Sequence, residues 1–169
     1  MFRRARESGP ALLVPLAWTL VVAARLEVVA DRPLLVAHAV MVALLVAFVV
    51  LSWREMATGV LRAWRGVILA GVPVTVAGTV GLLRVPPEPT LLAVSLYGWM
   101  LLPAAGLAYT ATREVTVAWP YAGGAAACVL GALVHAVAPG TVGAPGVVAG
   151  LALVGAGQTA GIVDAVVRY

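Results

Sequence analysis

Apolar stretches recur along this sequence, each about long enough to cross a lipid bilayer as a helix. The clearest is residues 34–52, LLVAHAVMVALLVAFVVLS, which carry no formal charge and a single histidine, His38. A helix rises about 1.5 Å per residue, so this stretch matches the roughly 30 Å hydrocarbon core of a bilayer. Pro33 precedes it, and proline is favoured at the first helical position because no N–H is needed there. The pattern therefore predicts a transmembrane helix over residues 33–53.

Breaks in the pattern separate this stretch from similar ones. Three prolines within residues 85–89 cannot continue a helix. The run from Val115 to Val163 has no formal charge and is too long for one crossing, so its proline- and glycine-rich part at 138–146 must separate two helices. The predicted fold class is all-α, an integral membrane bundle with short loops that forms one transmembrane domain over residues 1–169. We predict six helices, over approximately residues 10–29, 33–53, 66–84, 90–112, 115–138 and 146–167.

The first helix has an alternative interpretation as a cleaved signal peptide. Three arginines precede an apolar stretch that starts at Ala11, and residues 22–24 (VAA) are small enough for a cleavage site. We favour a retained helix, because a mature chain that began at Arg25 would leave five helices and a less regular bundle.

Composition supports the membrane class and excludes several kinds of chemistry. The chain is 63% hydrophobic and only 11% charged, whereas a soluble domain is about 25% charged. It contains no lysine, which excludes a Schiff base and a P-loop lysine. Its single cysteine, Cys128, excludes an intrachain disulfide. Because no H-E-x-x-H motif, paired aspartate motif or nucleotide-binding loop occurs, we do not expect an enzyme.

The distribution of arginine predicts the orientation of the chain. With the N-terminus in the cytoplasm, the inner segments carry more arginines than the outer ones, as the positive-inside bias requires. The inner set is Arg3, Arg4, Arg6, Arg54, Arg62, Arg65, Arg113 and Arg168, and the outer set is Arg25, Arg32 and Arg84. We therefore expect both termini in the cytoplasm. This topology explains the net charge of +4 without a nucleic-acid partner.

Two Gly-x-x-x-Gly pairs in the last helix indicate close helix packing. They are Gly146 with Gly150 and Gly157 with Gly161. Without side chains, such positions let a neighbouring backbone approach closely, which favours helix association in lipid. The sixth helix is therefore predicted to lie at the centre of the bundle or at the contact between two copies of the chain.

The two histidines are the main candidates for a cofactor site. His38 and His135 both lie near the predicted outer ends of their helices. If these helices were neighbours, paired imidazoles could ligate haem b, copper or zinc. The simpler and favoured interpretation is that each histidine is interfacial or hydrogen-bonded locally.

Four other polar residues are candidate sites, because polar groups within a membrane are costly. Glu27 and Asp31 are four residues apart and are expected on one helix face, either as a cation or proton entry site or as ordinary flanking charges. Asp164 is expected to pair with Arg168 or to form a protonatable group beside Gln158. A nucleophilic Ser95 with a histidine base has little support, because Ser95 lacks a glycine-rich turn.

Two classes of function follow from these observations. The favoured class is a non-enzymatic protein of the cell membrane, either a small permease or channel or an accessory subunit of a membrane complex. Its partners would be the lipid bilayer and either other subunits or a second copy of the chain. The alternative is a haem- or metal-binding redox subunit ligated by His38 and His135.

Overall fold

The computed structural model describes the backbone of residues 2–113 and 117–168, and the side chains of residues 11–113 and 117–167. Within these residues the chain forms α-helices and no β-strand, so the all-α prediction is confirmed. The six helices are α1 (Phe2–Arg25), α2 (Asp31–Ser52), α3 (Gly59–Leu83), α4 (Pro89–Arg113), α5 (Trp119–Val137) and α6 (Ala144–Arg168). A short 3-10 turn, Ala138–Gly140, follows α5.

Five of these helices, α2 to α6, are long and apolar enough to cross a membrane. Helix α2 has the highest mean hydropathy of the five, 2.9. Helix α1 contributes a shorter apolar segment, Ala11–Arg25. The chain is therefore built as multi-pass membrane proteins are, from several apolar helices joined by short connections.

The end of the first helix differs from the prediction. Helix α1 ends at Arg25 rather than near residue 29, and Glu27 has a positive φ of 58° in the turn that follows. A residue in this left-handed conformation interrupts a right-handed helix. Asp31 begins α2 instead. The predicted common helix face of Glu27 and Asp31 is therefore wrong, because the two residues lie on different elements.

Three helix starts also differ from the prediction. Helix α1 begins at Phe2 and not near residue 10. Helix α3 begins at Gly59 and not near residue 66, so Arg62 and Arg65 lie in its first two turns. Helix α5 begins at Trp119 and not at residue 115, with Pro120 in its first turn, where proline is tolerated. Residues 115 and 116, where this helix was predicted to start, lie outside the described residues.

The helices are arranged so that α4 and α6 lie at the centre and α2 at the edge. Each helix from α2 to α5 packs against the next in the chain, α1 packs against α6, and α4 also contacts α6. Helices α1 and α2 hardly touch, although they are consecutive. Only 6% of the apolar part of α2 is buried, compared with 50% of α6. Among the described residues, the largest fully buried side chains come from α3 to α6 and are Thr75, Met100, Leu107, Cys128, Val147, Leu151 and Val154.

The closest helix contact joins α5 and α6 through two pairs of glycines. A Cβ on Gly124 would lie 2.6 Å from the carbonyl oxygen of Gly157. A Cβ on Gly131 would lie 2.6 Å from the carbonyl oxygen of Gly150. In each helix the two glycines are seven residues apart. Seven residues make about two helical turns, which is the repeat of helices packed as a coiled coil.

Gly146 and Gly161, the other two glycines of the predicted Gly-x-x-x-Gly pairs, do not face α5. Gly146 contacts Val142 and Ala138 in the turn before α6, and Gly161 contacts Leu107 of α4. The seam is thus spaced by seven residues and uses one glycine from each predicted Gly-x-x-x-Gly pair.

Candidate functional site

A buried hydrogen bond connects α6 to a proline in α4. Pro103 has no N–H, so the carbonyl of Trp99, four residues earlier, loses its partner in the helix. The side-chain Nε2 of Gln158 donates to this carbonyl oxygen at 2.8 Å. Gln158 is only 2% exposed. It therefore supplies the hydrogen bond that the proline removes.

The same amide connects α6 to α1. Nε1 of Trp18 donates to Oε1 of Gln158 at 2.9 Å. Both ends of the amide are thus paired, which is what burial of such a group requires. On the other side of α4, Nε1 of Trp99 donates to Oγ1 of Thr75 at 2.9 Å. Trp18, Gln158, Trp99 and Thr75 form a continuous chain across α1, α6, α4 and α3, called here the central network.

Helices α3 and α4 are joined by two equivalent tryptophan–threonine pairs. In the first, Thr75 accepts from Trp99 and donates to the carbonyl of Gly71 at 2.8 Å. In the second, Nε1 of Trp64 donates to Oγ1 of Thr110 at 3.1 Å, and Thr110 donates to the carbonyl of Gly106 at 2.8 Å. Each of the two helices therefore has one tryptophan that donates to a threonine of the other helix and one threonine that accepts from the other helix's tryptophan.

A sequence signal for these two pairs exists. The segment Trp64-x₆-Gly71-x₃-Thr75 has the same spacing as Trp99-x₆-Gly106-x₃-Thr110. The glycines leave room for the indole rings: a Cβ on Gly71 would lie 2.6 Å from Cη2 of Trp99. Read as an internal repeat, this pattern would have predicted the contact between α3 and α4.

The side chain of His38, on α2, lies against Gly78 of α3 and near Ser95 of α4. Its Nδ1 is 3.0 Å from the carbonyl oxygen of Leu34, one turn earlier in the same helix. Its Nε2 faces Gly78 of α3, where a Cβ would lie 2.8 Å from it and 2.5 Å from Oγ of Ser95. The absence of a side chain at Gly78 therefore brings the imidazole and the hydroxyl together.

His135 has a different partner. Its Nδ1 is 2.9 Å from the hydroxyl of Tyr97, and the two rings meet edge to face with centroids 5.4 Å apart. Helices α2 and α5, as far as the structure describes them, are not neighbours. A site shared by His38 and His135 needs such neighbours, so the structure does not bring the predicted ligands together. Helices α3 and α4 separate them.

The remaining candidate residues do not form a second polar centre. Glu27 and Asp31 are exposed, on the turn after α1 and at the start of α2. Asp164 is partly buried near the end of α6, and the side chain of its predicted partner Arg168 lies outside the described residues. In the described part of the chain no three His, Cys, Asp or Glu side chains are grouped to hold a metal ion.

Ser95 is buried beside His38, but its position does not suit a nucleophile. It lies inside α4, with helix on both sides. The backbone N–H groups around it are used in the helix and are not free to stabilise an oxyanion.

Two open grooves lie on the outside of the helices. One has a volume of about 480 Å³ and is lined by Leu26, Ala144, Pro145, Val148 and Ala149. The other has a volume of about 390 Å³ and is lined by Ala70, Val74, Val94, Tyr97, Gly98, Leu101 and Leu102. Both are predominantly apolar surfaces, and neither contains a residue of the central network.

The chain has no match among protein-family models, curated proteins or solved structures.

Proposed function

We propose that this chain is an integral membrane protein of six transmembrane helices that acts as a non-catalytic accessory subunit of a membrane complex. The observation that carries this proposal is the central network, in which the buried amide of Gln158 is bonded at both ends. Polar groups that serve transport face a water-filled path or a substrate. Here they bond to one another and hold four helices together.

A small permease or channel is the second candidate. The two histidines favour it, because ionisable side chains within membrane helices often line ion or proton paths. Against it, the two grooves are open surface grooves with predominantly apolar linings. We therefore rank it below the accessory subunit. A redox subunit ranks lower still, because the helices that carry His38 and His135, α2 and α5, are not neighbours within the described residues.

We propose that both termini lie in the cytoplasm and that the protein resides in the cell membrane. Arg54, Arg62 and Arg65 lie at one end of the bundle, at the connection between α2 and α3. Arg113 lies at the same end, because Trp64 of α3 bonds to Thr110 of α4. An excess of arginine on this side supports a cytoplasmic placement by the positive-inside bias.

Reporter fusions test the topology. Fusions at Pro87 and Gly143 should report an extracytoplasmic position, and a fusion at Ala57 a cytoplasmic one. A cytoplasmic signal at Gly143 would remove the last pair of crossings from the proposal.

Reconstitution tests the function. Liposomes that contain the purified protein alone should be no more permeable to protons and small ions than protein-free liposomes. In gently solubilised native membranes the chain should migrate in a complex larger than itself. Increased permeability would favour the permease instead, and a Soret absorption band from the purified protein would favour the redox subunit.

A further inference from the structure

One end of the bundle combines arginine with aromatic rings. The guanidinium of Arg65 lies over the indole ring of Trp53, 4.3 Å from its centroid, and its Nη1 donates to the carbonyl of Trp53 at 3.0 Å. On α4 the guanidinium of Arg113 lies 5.1 Å from the ring centroid of Tyr109. Two arginines are therefore held in place by stacking on aromatic faces.

Two further arginines join them, and both are exposed. Arg54 follows Trp53 in the turn after α2, and Arg62 precedes Arg65 by one turn of α3. The bond from Trp64 to Thr110 brings the start of α3 to the end of α4. We call Arg54, Arg62, Arg65 and Arg113, with Trp53 and Tyr109, the basic-aromatic surface.

The charge of this end differs from that of the opposite end. Among the described side chains the four arginines are accompanied by Glu55 and by the partly buried Asp164. The opposite end is balanced, with three arginines and three acids. These are Arg25, Arg32, Arg84, Glu27, Asp31 and Glu88.

The basic-aromatic surface continues directly into an apolar one. Trp53 is 48% exposed, and Val50 and Leu51 just before it are 68% and 73% exposed. A ligand that fits this arrangement has an anionic group for the arginines and hydrocarbon for α2. A phospholipid has both, with its phosphate at the depth where tryptophan and tyrosine lie in membranes.

We propose that the basic-aromatic surface binds the headgroups of anionic phospholipids. Guanidinium groups bind phosphate through two parallel hydrogen bonds, and stacking on Trp53 and Tyr109 reduces the freedom that Arg65 and Arg113 lose on binding. This inference rests on the proposed placement of the chain in a membrane.

The test is the composition of the lipid shell in nanodiscs made of phosphatidylcholine and phosphatidylglycerol. Native mass spectrometry of the released protein should show retained phosphatidylglycerol in excess of its share in the nanodisc. The Arg54→Gln/Arg62→Gln variant should reduce this enrichment by about fivefold to 25-fold, because each of the two arginines near an anionic surface contributes up to about a factor of five. High salt should reduce it as well.

The matched control is Arg32→Gln/Arg84→Gln, which removes the same charge at the opposite end. It should leave the enrichment as in the original chain. Equal enrichment in all three proteins, or equal loss in both variants, would overturn the proposal. If the original chain does not enter nanodiscs, the membrane placement itself has failed, and this result is distinct from a loss of lipid preference.

Discussion

Gln158 of α6 supplies the hydrogen bond that Pro103 removes from α4. Its side-chain Nε2 donates at 2.8 Å to the carbonyl oxygen of Trp99, which the missing N–H of residue 103 would otherwise bond. Proline is tolerated in membrane helices when a neighbouring group satisfies the freed carbonyl. Gln158 is the only glutamine in the chain, and asparagine does not occur. The amide thus satisfies the buried carbonyl that Pro103 frees and ties α4 to α1 through Trp18.

The first prediction is that Gln158 and Pro103 are energetically coupled. Gln158→Leu leaves the Trp99 carbonyl and the Trp18 N–H without partners, at a cost of about 1–3 kcal/mol in the free energy of unfolding. With Pro103→Ala the N–H at position 103 is restored, so the same Gln158→Leu change should cost less. Unfolding of the four proteins in detergent measures the difference as a double-mutant cycle.

Pro73 provides the control for this cycle. It is the proline within α3, and Gln158 makes no hydrogen bond near it. Gln158→Leu should lower the free energy of unfolding by the same amount in the Pro73→Ala variant as in the original chain. If both prolines change the cost equally, Gln158 does not act on the carbonyl freed by Pro103.

The helices and their approximate limits could be predicted from the sequence, because hydropathy alone decides which segments enter a bilayer. The neighbours of each helix could not. His38 and His135 are at similar predicted depth, but equal depth does not make two helices adjacent, and α3 and α4 lie between them. The role of Gln158 could not be predicted either, because it depends on α4 packing against α6 and placing Pro103 beside the amide.

The α3–α4 contact is different, because a signal for it was present. The spacing of Trp64, Gly71 and Thr75 in α3 is repeated in α4 by Trp99, Gly106 and Thr110, and this repeat is visible in the sequence alone.

The second prediction concerns these tryptophan–threonine pairs. Trp99→Phe and Thr75→Val each remove the hydrogen bond between the two side chains, so their costs should overlap, with a coupling of about 0.5–1.5 kcal/mol. Trp99→Phe and Thr110→Val should be additive within about 0.5 kcal/mol, because Thr110 bonds to Trp64 instead. Unfolding in detergent checks both cycles. Additivity in the first cycle would mean that the bond contributes nothing to stability.

The third prediction tests the seam between α5 and α6 with two adjacent glycines. Gly124→Ala should destabilise the protein by about 1–3 kcal/mol, because its Cβ would meet the backbone of Gly157 and force the helices apart. Gly123→Ala should be neutral or stabilising by up to about 1 kcal/mol, because a Cβ there has no atom within 4 Å and alanine favours helix. The measurement is thermal stability of the two variants in detergent. Equal tolerance of both changes would exclude a close α5–α6 contact.

The last prediction concerns the dependence of stability on pH. The carboxylate of Glu88 accepts hydrogen bonds from the backbone N–H groups of Leu91 and Thr90, which begin α4. These two bonds, and more weakly the charge of Arg84, lower the pKa of Glu88 below its usual value of 4.5. A carboxylate at a helix N-terminus is also favoured by the helix dipole.

The sign of the effect follows from this lowered pKa. The folded protein binds the proton of Glu88 less readily than the unfolded chain does, so the contribution to stability is present above pH 4.5 and is lost as the pH falls through the lowered pKa. Melting temperatures measured from neutral pH down to about pH 3 should therefore fall less steeply for Glu88→Gln than for the original chain, and the variant should be less stable at neutral pH. Glu27→Gln removes a carboxylate in the turn before α2 and is the control for the loss of one negative charge. A Glu88→Gln protein with an unchanged slope would show that this carboxylate does not stabilise the start of α4.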